Sequence, residues 1–361
     1  MTRRNGSIVG KENPASTGPT GSPGMWTIND SQQESDIDNW GEPSSYIRFL
    51  VLGGGGGGGG GGSSNSSGGG GGAGGYLEGF EKLYSTRPYT IQVGDGGSRG
   101  NGLYPGTRGG TSKFSMPTYP GFAPTSTFDH ECQGGGAGYG YNGNPQGPGG
   151  SGGGGPNYGS GYGVGQNTTA SPPWPTTPNV QSSASDPPIT PTTIAGYPGG
   201  AGLNDSSGSS GGGGGAGDNG NPGNLNNGAG GAGGRGVVSN IDGTNTTRGG
   251  GGGGAGRGVP GSGGSGVGGA GGGYAGPTTP SNGSPATGAG SGGGGGAALN
   301  GPPANGGDGS RGVVILRYPV KYELDGSNVP TSLFLMDRGL VANDEYVVFG
   351  SGSGTITFKL K

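Results

Sequence analysis

The chain has 361 residues, of which 106 are glycine and 29 are proline, and only 25% are hydrophobic. Its 18 basic and 21 acidic residues give a net charge of −3, which leaves no basic surplus for binding nucleic acid. The one histidine and the one cysteine, His130 and Cys132, offer too few groups for a zinc site or a nucleophilic triad. We therefore expect no enzymatic activity, no metal and no cofactor.

The N-terminal region divides into two parts by composition. Residues 1–24 are rich in proline, glycine, serine and threonine, so we predict an extended arm that lies along another protein. Residues 25–45 form a short entry segment, in which Ser31 and Glu34 fit a capping box and predict a helix over 31–39.

Export and membrane insertion are not expected from the sequence. No apolar run approaches the ~20 residues that span a bilayer, and the first ten residues lack the apolar core of a signal peptide. A single cysteine is consistent with synthesis in a reducing cytoplasm.

A glycine-rich domain is predicted over residues 46–320. It opens with the apolar stretch 46–52, which runs directly into ten consecutive glycines at 53–62, and it closes with the stretch 312–320. Both stretches are rich in β-branched and aromatic residues and predict strands that pair or lie side by side. Between them, glycine-rich runs alternate with loops of unequal length.

Ordered glycine runs need a source of stability other than side-chain burial, because glycine loses more backbone freedom on folding than other residues. Polyglycine in the polyproline II conformation, with about three residues per turn, can supply it when neighbouring helices exchange backbone hydrogen bonds. Non-glycine residues recur at every third position at Ala229, Ala232 and Arg235. We therefore predict a bundle or sandwich of polyglycine II helices with long loops, bracketed by short β-strands and with almost no α-helix.

The C-terminal segment, residues 321–361, has a different composition. The apolar stretches TSLFLM, EYVVF and TITFKL are separated by the turn signals DRG and GSGSG. This pattern predicts a small β-meander.

Several of these strings occur together in a known family. GMWTINDSQQ, then NW, a strand entering polyglycine, GGAGGY and the closing GVVILRYPV resemble the glycine-rich domain proteins of tailed bacteriophages, particularly those that infect cyanobacteria. The glycine part is also similar to the distal tail-fibre adhesins of T-even-like phages, in which a polyglycine II sandwich presents variable loops to a receptor. The resemblance covers about residues 6–320.

The resemblance implies a structural protein on the virion surface. Its partners would be other virion proteins, contacted through residues 1–24 and, as a second candidate, 321–361, and a homotrimer is compatible with such an assembly. Two functions stay open. One is a tail-fibre or spike adhesin that binds a host-surface protein or glycan, and the other is a capsid decoration or fibre component without a receptor.

Aromatic residues in the long loops are the candidates for receptor contact, because binding energy concentrates in a few buried aromatic anchors. Trp174 ranks first, since the prolines on either side hold it in an extended segment that loses little freedom on binding. The full set of candidates is Trp174, Tyr158, Tyr162, Tyr197, Tyr104 and Tyr119.

Overall fold

A computed structural model of the protein describes twelve stretches of the chain. They are 46–62, 66–85, 87–117, 128–141, 149–157, 192–194, 196–203, 208–224, 228–274, 280–297, 302–326 and 329–361. The predicted arm at 1–24 and the predicted helix at 31–39 lie outside these residues.

The described residues form thirteen strands and one 3-10 turn, Gly264–Gly266. The strands are β1 (Tyr46–Leu52), β2 (Tyr76–Lys82), β3 (Tyr89–Val93), β4 (Ser112–Met116), β5 (Phe128–Cys132), β6 (Thr192–Ile194), β7 (Val237–Ser239), β8 (Thr246–Arg248), β9 (Val313–Pro319), β10 (Tyr322–Leu324), β11 (Leu333–Val341), β12 (Asp344–Ile356) and β13 (Phe358–Leu360).

Nine strands form one antiparallel sheet that curls into a nearly closed barrel. Their order is β5-β4-β3-β12-β9-β1-β2-β6, and β11 pairs with β12 off this path. Strand β12 pairs with β9 through residues 344–349 and with β3 through residues 352–356. The bracketing strands β1 and β9 pair directly, with Leu52 opposite Val313, so their predicted adjacency is confirmed.

Both faces of the central strands are buried. On β1, Phe49 and Val51 point into the barrel, whereas Leu50 and Leu52 belong to a second cluster on its outer surface. The hairpin formed by β7 and β8 covers that second cluster, and Ile241 between them is fully buried against it. Burial on both faces explains why the second half of β1, residues 49–52, is a continuous apolar run rather than an alternating one.

The glycine-rich runs extend from one end of the barrel and pack against one another. We call them the glycine block. Its described runs are 53–62, 66–75, 94–111, 133–141, 149–157, 196–203, 208–224, 228–236, 249–274, 280–297 and 302–312.

Backbone hydrogen bonds hold the glycine block together. The central run of the block is residues 53–62. Its successive amides donate to three different neighbouring runs and then return to the first, with N···O distances between 2.8 and 3.0 Å. Each such bond contributes about 1 kcal/mol net, so the block depends on the number of bonds rather than on any one. The acceptors of residues 53 to 61 are, in order, the carbonyls of Gly75, Gly110, Ser310, Gly72, Thr107, Gly307, Gly69, Tyr104 and Ala304.

The central run requires glycine because its neighbours leave no space for a Cβ atom at most of its positions. A Cβ on Gly56 would lie 2.1 Å from the carbonyl oxygen of Gly136, and a Cβ on Gly59 would lie 1.9 Å from that of Tyr139. The atoms in the way are backbone atoms fixed by their own hydrogen bonds, so they cannot move aside as the end of a side chain can.

The predicted fold class is wrong. Of the described residues, 32% lie in strands and 2% in helix, and they are organised by a nearly closed antiparallel barrel-like sheet rather than by a bundle of polyglycine II helices. The prediction was based on the low average hydrophobicity of the chain. The apolar residues are not spread evenly, however, but are concentrated in strands that build a complete core.

The C-terminal strands do not form a separate meander. The predicted turns DRG and GSGSG, residues 337–339 and 350–354, lie inside β11 and β12. Strand β12 belongs to the main sheet, because its two halves pair with β9 and β3. A turn signal is local, and long-range pairing on both sides of β12 overrides it.

The barrel is closed partly by side chains where β2 faces β5. Next to the glycine block, the amide of Gly75 donates to the carbonyl of Gln133 at 2.8 Å. Farther along, His130 Nε2 lies 2.7 Å from Glu81 Oε1. The imidazole ring stacks between Phe49 and Phe128, with ring centroids 4.5 and 4.8 Å away. His130 therefore joins the two facing strands.

We expect Gly56→Ala to destabilise the protein by about 3 kcal/mol or more, because its methyl group meets fixed backbone. Gly326→Ala is the matched control, since a Cβ there has nothing within 4 Å, and it should change stability by less than about 0.5 kcal/mol. Denaturant unfolding of both variants measures the difference. Equal stability of the two would show that the central run is not close-packed.

We expect His130→Ala to lower the free energy of unfolding by about 2 kcal/mol, because it removes both the contact with Glu81 and the stacked ring. Lys113→Ala breaks the more exposed ion pair between Lys113 and Asp129 on β4 and β5, and it should cost less than about 1 kcal/mol. Thermal unfolding compares the two variants. A smaller effect for His130→Ala than for Lys113→Ala would contradict the role of His130 in closing the barrel.

Candidate binding surface

The end of the glycine block that lies away from the barrel is formed by turns. We call this end of the block the tip. The amide of Gly62 donates to the carbonyl of Ser66 at 3.0 Å, and the amide of Tyr104 donates to that of Asn101 at 3.2 Å. Gly102 has φ +53°, a backbone conformation that glycine adopts without strain and that allows the chain to reverse there.

Large side chains converge at the tip around Gly62. A Cβ on Gly62 would lie 2.2 Å from Leu103 Cδ2 and 3.4 Å from Tyr141 Cβ, so these two side chains are neighbours. Tyr104 is 63% exposed and Tyr141 is 42% exposed. The carbonyl of Tyr104 accepts a hydrogen bond from Gly60 at 2.9 Å, so its backbone is held in place while its ring faces solvent.

A second turn, residues 255–260, extends this surface. The amide of Ala255 donates to the carbonyl of Gly68 at 3.2 Å, which brings the turn beside residues 66–68. Val259 is an exposed apolar side chain, and Arg257 adds an exposed positive charge. The tip therefore presents tyrosine and aliphatic side chains on turns fixed by the glycine block.

Two of the six predicted contact residues lie within the described residues, and they are not brought together. Tyr104 is exposed at the tip. Tyr197 is partly buried near the barrel end, where its carbonyl accepts from Gly152 and its amide donates to Ser151 Oγ. The other four, Trp174, Tyr158, Tyr162 and Tyr119, lie outside the described residues and stay predictions.

Tyr141, Leu103 and Val259 are not among the residues predicted from the sequence. The predicted contacts were aromatic residues of the longest loops, whereas Leu103 and Val259 are aliphatic and Tyr141 stands at the end of a glycine run. A local signal was present for two of them, because Leu103 follows Asn-Gly and Val259 precedes a proline, and both patterns are typical of turns. For Tyr141, the signal was the end of a glycine run.

A polar cluster on the outside of the barrel serves to attach the β7–β8 hairpin. Arg48 Nε donates to Glu78 Oε1 at 2.9 Å, and Arg48 Nη2 donates to Asn240 Oδ1 at 3.0 Å. Arg248 Nη2 donates to Asp242 Oδ2 at 2.5 Å within the hairpin. Both carboxylates are thus paired with arginine, and these ion pairs fix the hairpin against the barrel.

His130 and Cys132 make separate contacts inside the barrel. Cys132 Sγ donates to the carbonyl of Val51 at 3.3 Å, whereas His130 contacts Glu81. Burial raises the pKa of the Cys132 thiol above its ordinary value, so the thiol stays protonated. This is the arrangement of a packed core and not of an activated nucleophile.

Within the described residues, no group of three or more histidine, cysteine, aspartate or glutamate side chains could hold a metal ion. The same part of the chain contains no helix that is long and apolar enough to cross a membrane.

Comparison with known proteins places the sequence in a family. A family model described as a glycine-rich domain matches residues 30–319. The match ends at the last residue of β9, so it takes in the glycine block and leaves β10 to β13 outside. A comparison with curated proteins finds no match.

We expect Cys132 in the folded protein to resist alkylation by iodoacetamide at about pH 8.5, the ordinary pKa of a thiol. Because the folded state holds the thiol protonated, its contribution to stability is present below that pH and is lost as the pH rises and the unfolded chain ionises. Alkylation rates measured with and without urea provide the check. Equal rates in the two states would show that the thiol is accessible.

Proposed function

The chain belongs to the glycine-rich domain family, and on that premise we propose that it is a structural protein on the surface of a bacteriophage virion, with the tip as its receptor-binding surface. The receptor part is supported by the exposure of Tyr104, on a turn that the glycine block holds in place, and of Tyr141, at the end of the run 133–141.

The chemistry of the tip suits recognition. Tyrosine provides a large amphipathic contact area at a small cost in conformational entropy, and exposed aromatic residues that become buried on binding supply much of the energy of an interface. Fixed turns add to this, because a surface that is already ordered loses little freedom when it binds.

The virion assignment rests on the sequence strings that resemble glycine-rich phage proteins and on the nature of the glycine block. A block in which most amides are bonded to neighbouring runs offers few openings for local unfolding and proteolysis. The same property would serve a capsid decoration or fibre component without a receptor, which is the second candidate. In both cases, other virion proteins are the partners of residues 1–24.

The test is adsorption of phage carrying Tyr104→Ala or Tyr141→Ala to host cells. Loss of a hot-spot side chain should cost about 2 kcal/mol, about 30-fold in affinity. Val238→Ala is the matched control, because Val238 is 59% exposed on β7, away from the tip, and the variant should adsorb normally.

Trp174→Ala, Tyr158→Ala, Tyr162→Ala and Tyr119→Ala belong in the same series. Normal adsorption of every tyrosine and tryptophan variant, on particles that assemble normally, would reject the adhesin and leave the decoration or fibre role. Immunogold labelling decides the location, and a protein absent from purified particles would reject both roles.

A further inference from the structure

Four asparagine–glycine dipeptides lie in the described part of the glycine block. Asparagine is chemically labile, and a following glycine has no side chain to hinder attack by its own amide nitrogen. That nitrogen loses its proton and attacks the asparagine Cγ, ammonia leaves, and water opens the resulting succinimide to aspartate or isoaspartate. The four dipeptides are Asn101-Gly102, Asn219-Gly220, Asn282-Gly283 and Asn305-Gly306.

In each of the four dipeptides, the glycine amide donates a hydrogen bond to a neighbouring run. Three of these bonds go to backbone carbonyls. The acceptors of Gly220, Gly283 and Gly306 are, in order, the carbonyls of Pro198, Asn305 and Gly100, at 3.0, 2.9 and 2.9 Å. An amide held in this way is directed away from the asparagine side chain that precedes it, so it cannot attack until the bond opens.

Gly102 differs from the other three glycines because its acceptor is a side chain. Its amide donates to Asn305 Oδ1 at 3.0 Å. The amide of Asn305 donates in turn to Asn282 Oδ1 at 2.8 Å, which fixes Asn305 against the adjacent run. Asn101 itself is exposed to water. The reaction at Asn101 is therefore opposed by one hydrogen bond from a side chain on another run.

A reaction at Asn101 would change the turn that carries Tyr104. The amide of Tyr104 donates to the carbonyl of Asn101 at 3.2 Å across this turn. Isoaspartate would add one carbon atom to the backbone between residues 101 and 102, and either product would add a negative charge. The exposed ring of Tyr104 would then be held in a different place.

We propose that Asn101 is a latent deamidation site and that Asn305 protects it by holding the amide of Gly102. Removing the Asn305 side chain frees this amide, but it leaves the Asn305 backbone carbonyl that holds Gly283. Asn101 should then react while Asn282 stays intact. The proposal is independent of what the tip binds.

The experiment incubates the full chain in neutral buffer, with and without enough urea to unfold it, and follows deamidation by mass spectrometry of proteolytic peptides. In the parent chain, Asn101 should react several-fold more slowly in buffer than in urea. In Asn305→Ala it should react about fivefold faster than in the folded parent, the factor that corresponds to a hydrogen bond of about 1 kcal/mol. Asn282 and Asn219 should keep their parent rates, which reports that the block is folded.

Asn305→Asp keeps an acceptor oxygen for Gly102, so it should keep Asn101 protected. Asn221→Ala is the matched control, because it removes another exposed asparagine side chain from the block and should leave the rate at Asn101 unchanged. Equal rates at Asn101 in Asn305→Ala and Asn221→Ala would overturn the proposal, as would equal rates in buffer and urea for the parent. Equal acceleration of Asn101, Asn282 and Asn219 in Asn305→Ala would also overturn it, since it would assign the protection to folding as a whole.

Discussion

Close approach between glycine backbones is the constraint on which the rest of this structure depends. The hydrogen-bonded neighbours of the central run leave no space for a Cβ, because a Cβ on Gly56 would lie 2.1 Å from the carbonyl oxygen of Gly136. Glycine is therefore a packing requirement at the first eight of the ten consecutive positions after β1, Gly53 to Gly60. A flexible spacer would tolerate serine or alanine at these positions, and this run does not.

The barrel and the glycine block contribute to the stability of the protein in different ways. Ordering glycine costs about 1–2 kcal/mol per residue, which is close to the net gain from one hydrogen bond, so the block has little stability of its own. The barrel buries the large apolar side chains and fixes the ends of the runs. At the junction, Gly312 donates to the carbonyl of Gly94 at 2.9 Å, and Gly94 donates to Ser112 Oγ at 2.9 Å. Strand register thus sets the alignment of the runs.

The close packing of the glycine runs determines where side chains can face solvent freely. At the glycine positions of the central run, a side chain would collide with backbone, whereas at a turn it can point away from the packed runs. Tyr104 and Tyr141 are accommodated because they sit where runs end. A side chain at the tip can therefore be exchanged without disturbing the hydrogen bonds of the packed runs.

The sequence by itself determined the strands at 46–52 and 312–320 and their adjacency, because dense β-branched and aromatic residues next to glycine are a local signal. It also identified Tyr104 as a candidate for the surface. Only the tertiary structure decided that β12 joins β9 and β3, that the apolar residues close into a barrel, and that Tyr104 has Tyr141 rather than Tyr197 as its neighbour. The physical reason is that glycine runs carry no side chains to distinguish one neighbour from another, so their partners are set by long-range strand register, which no local pattern records.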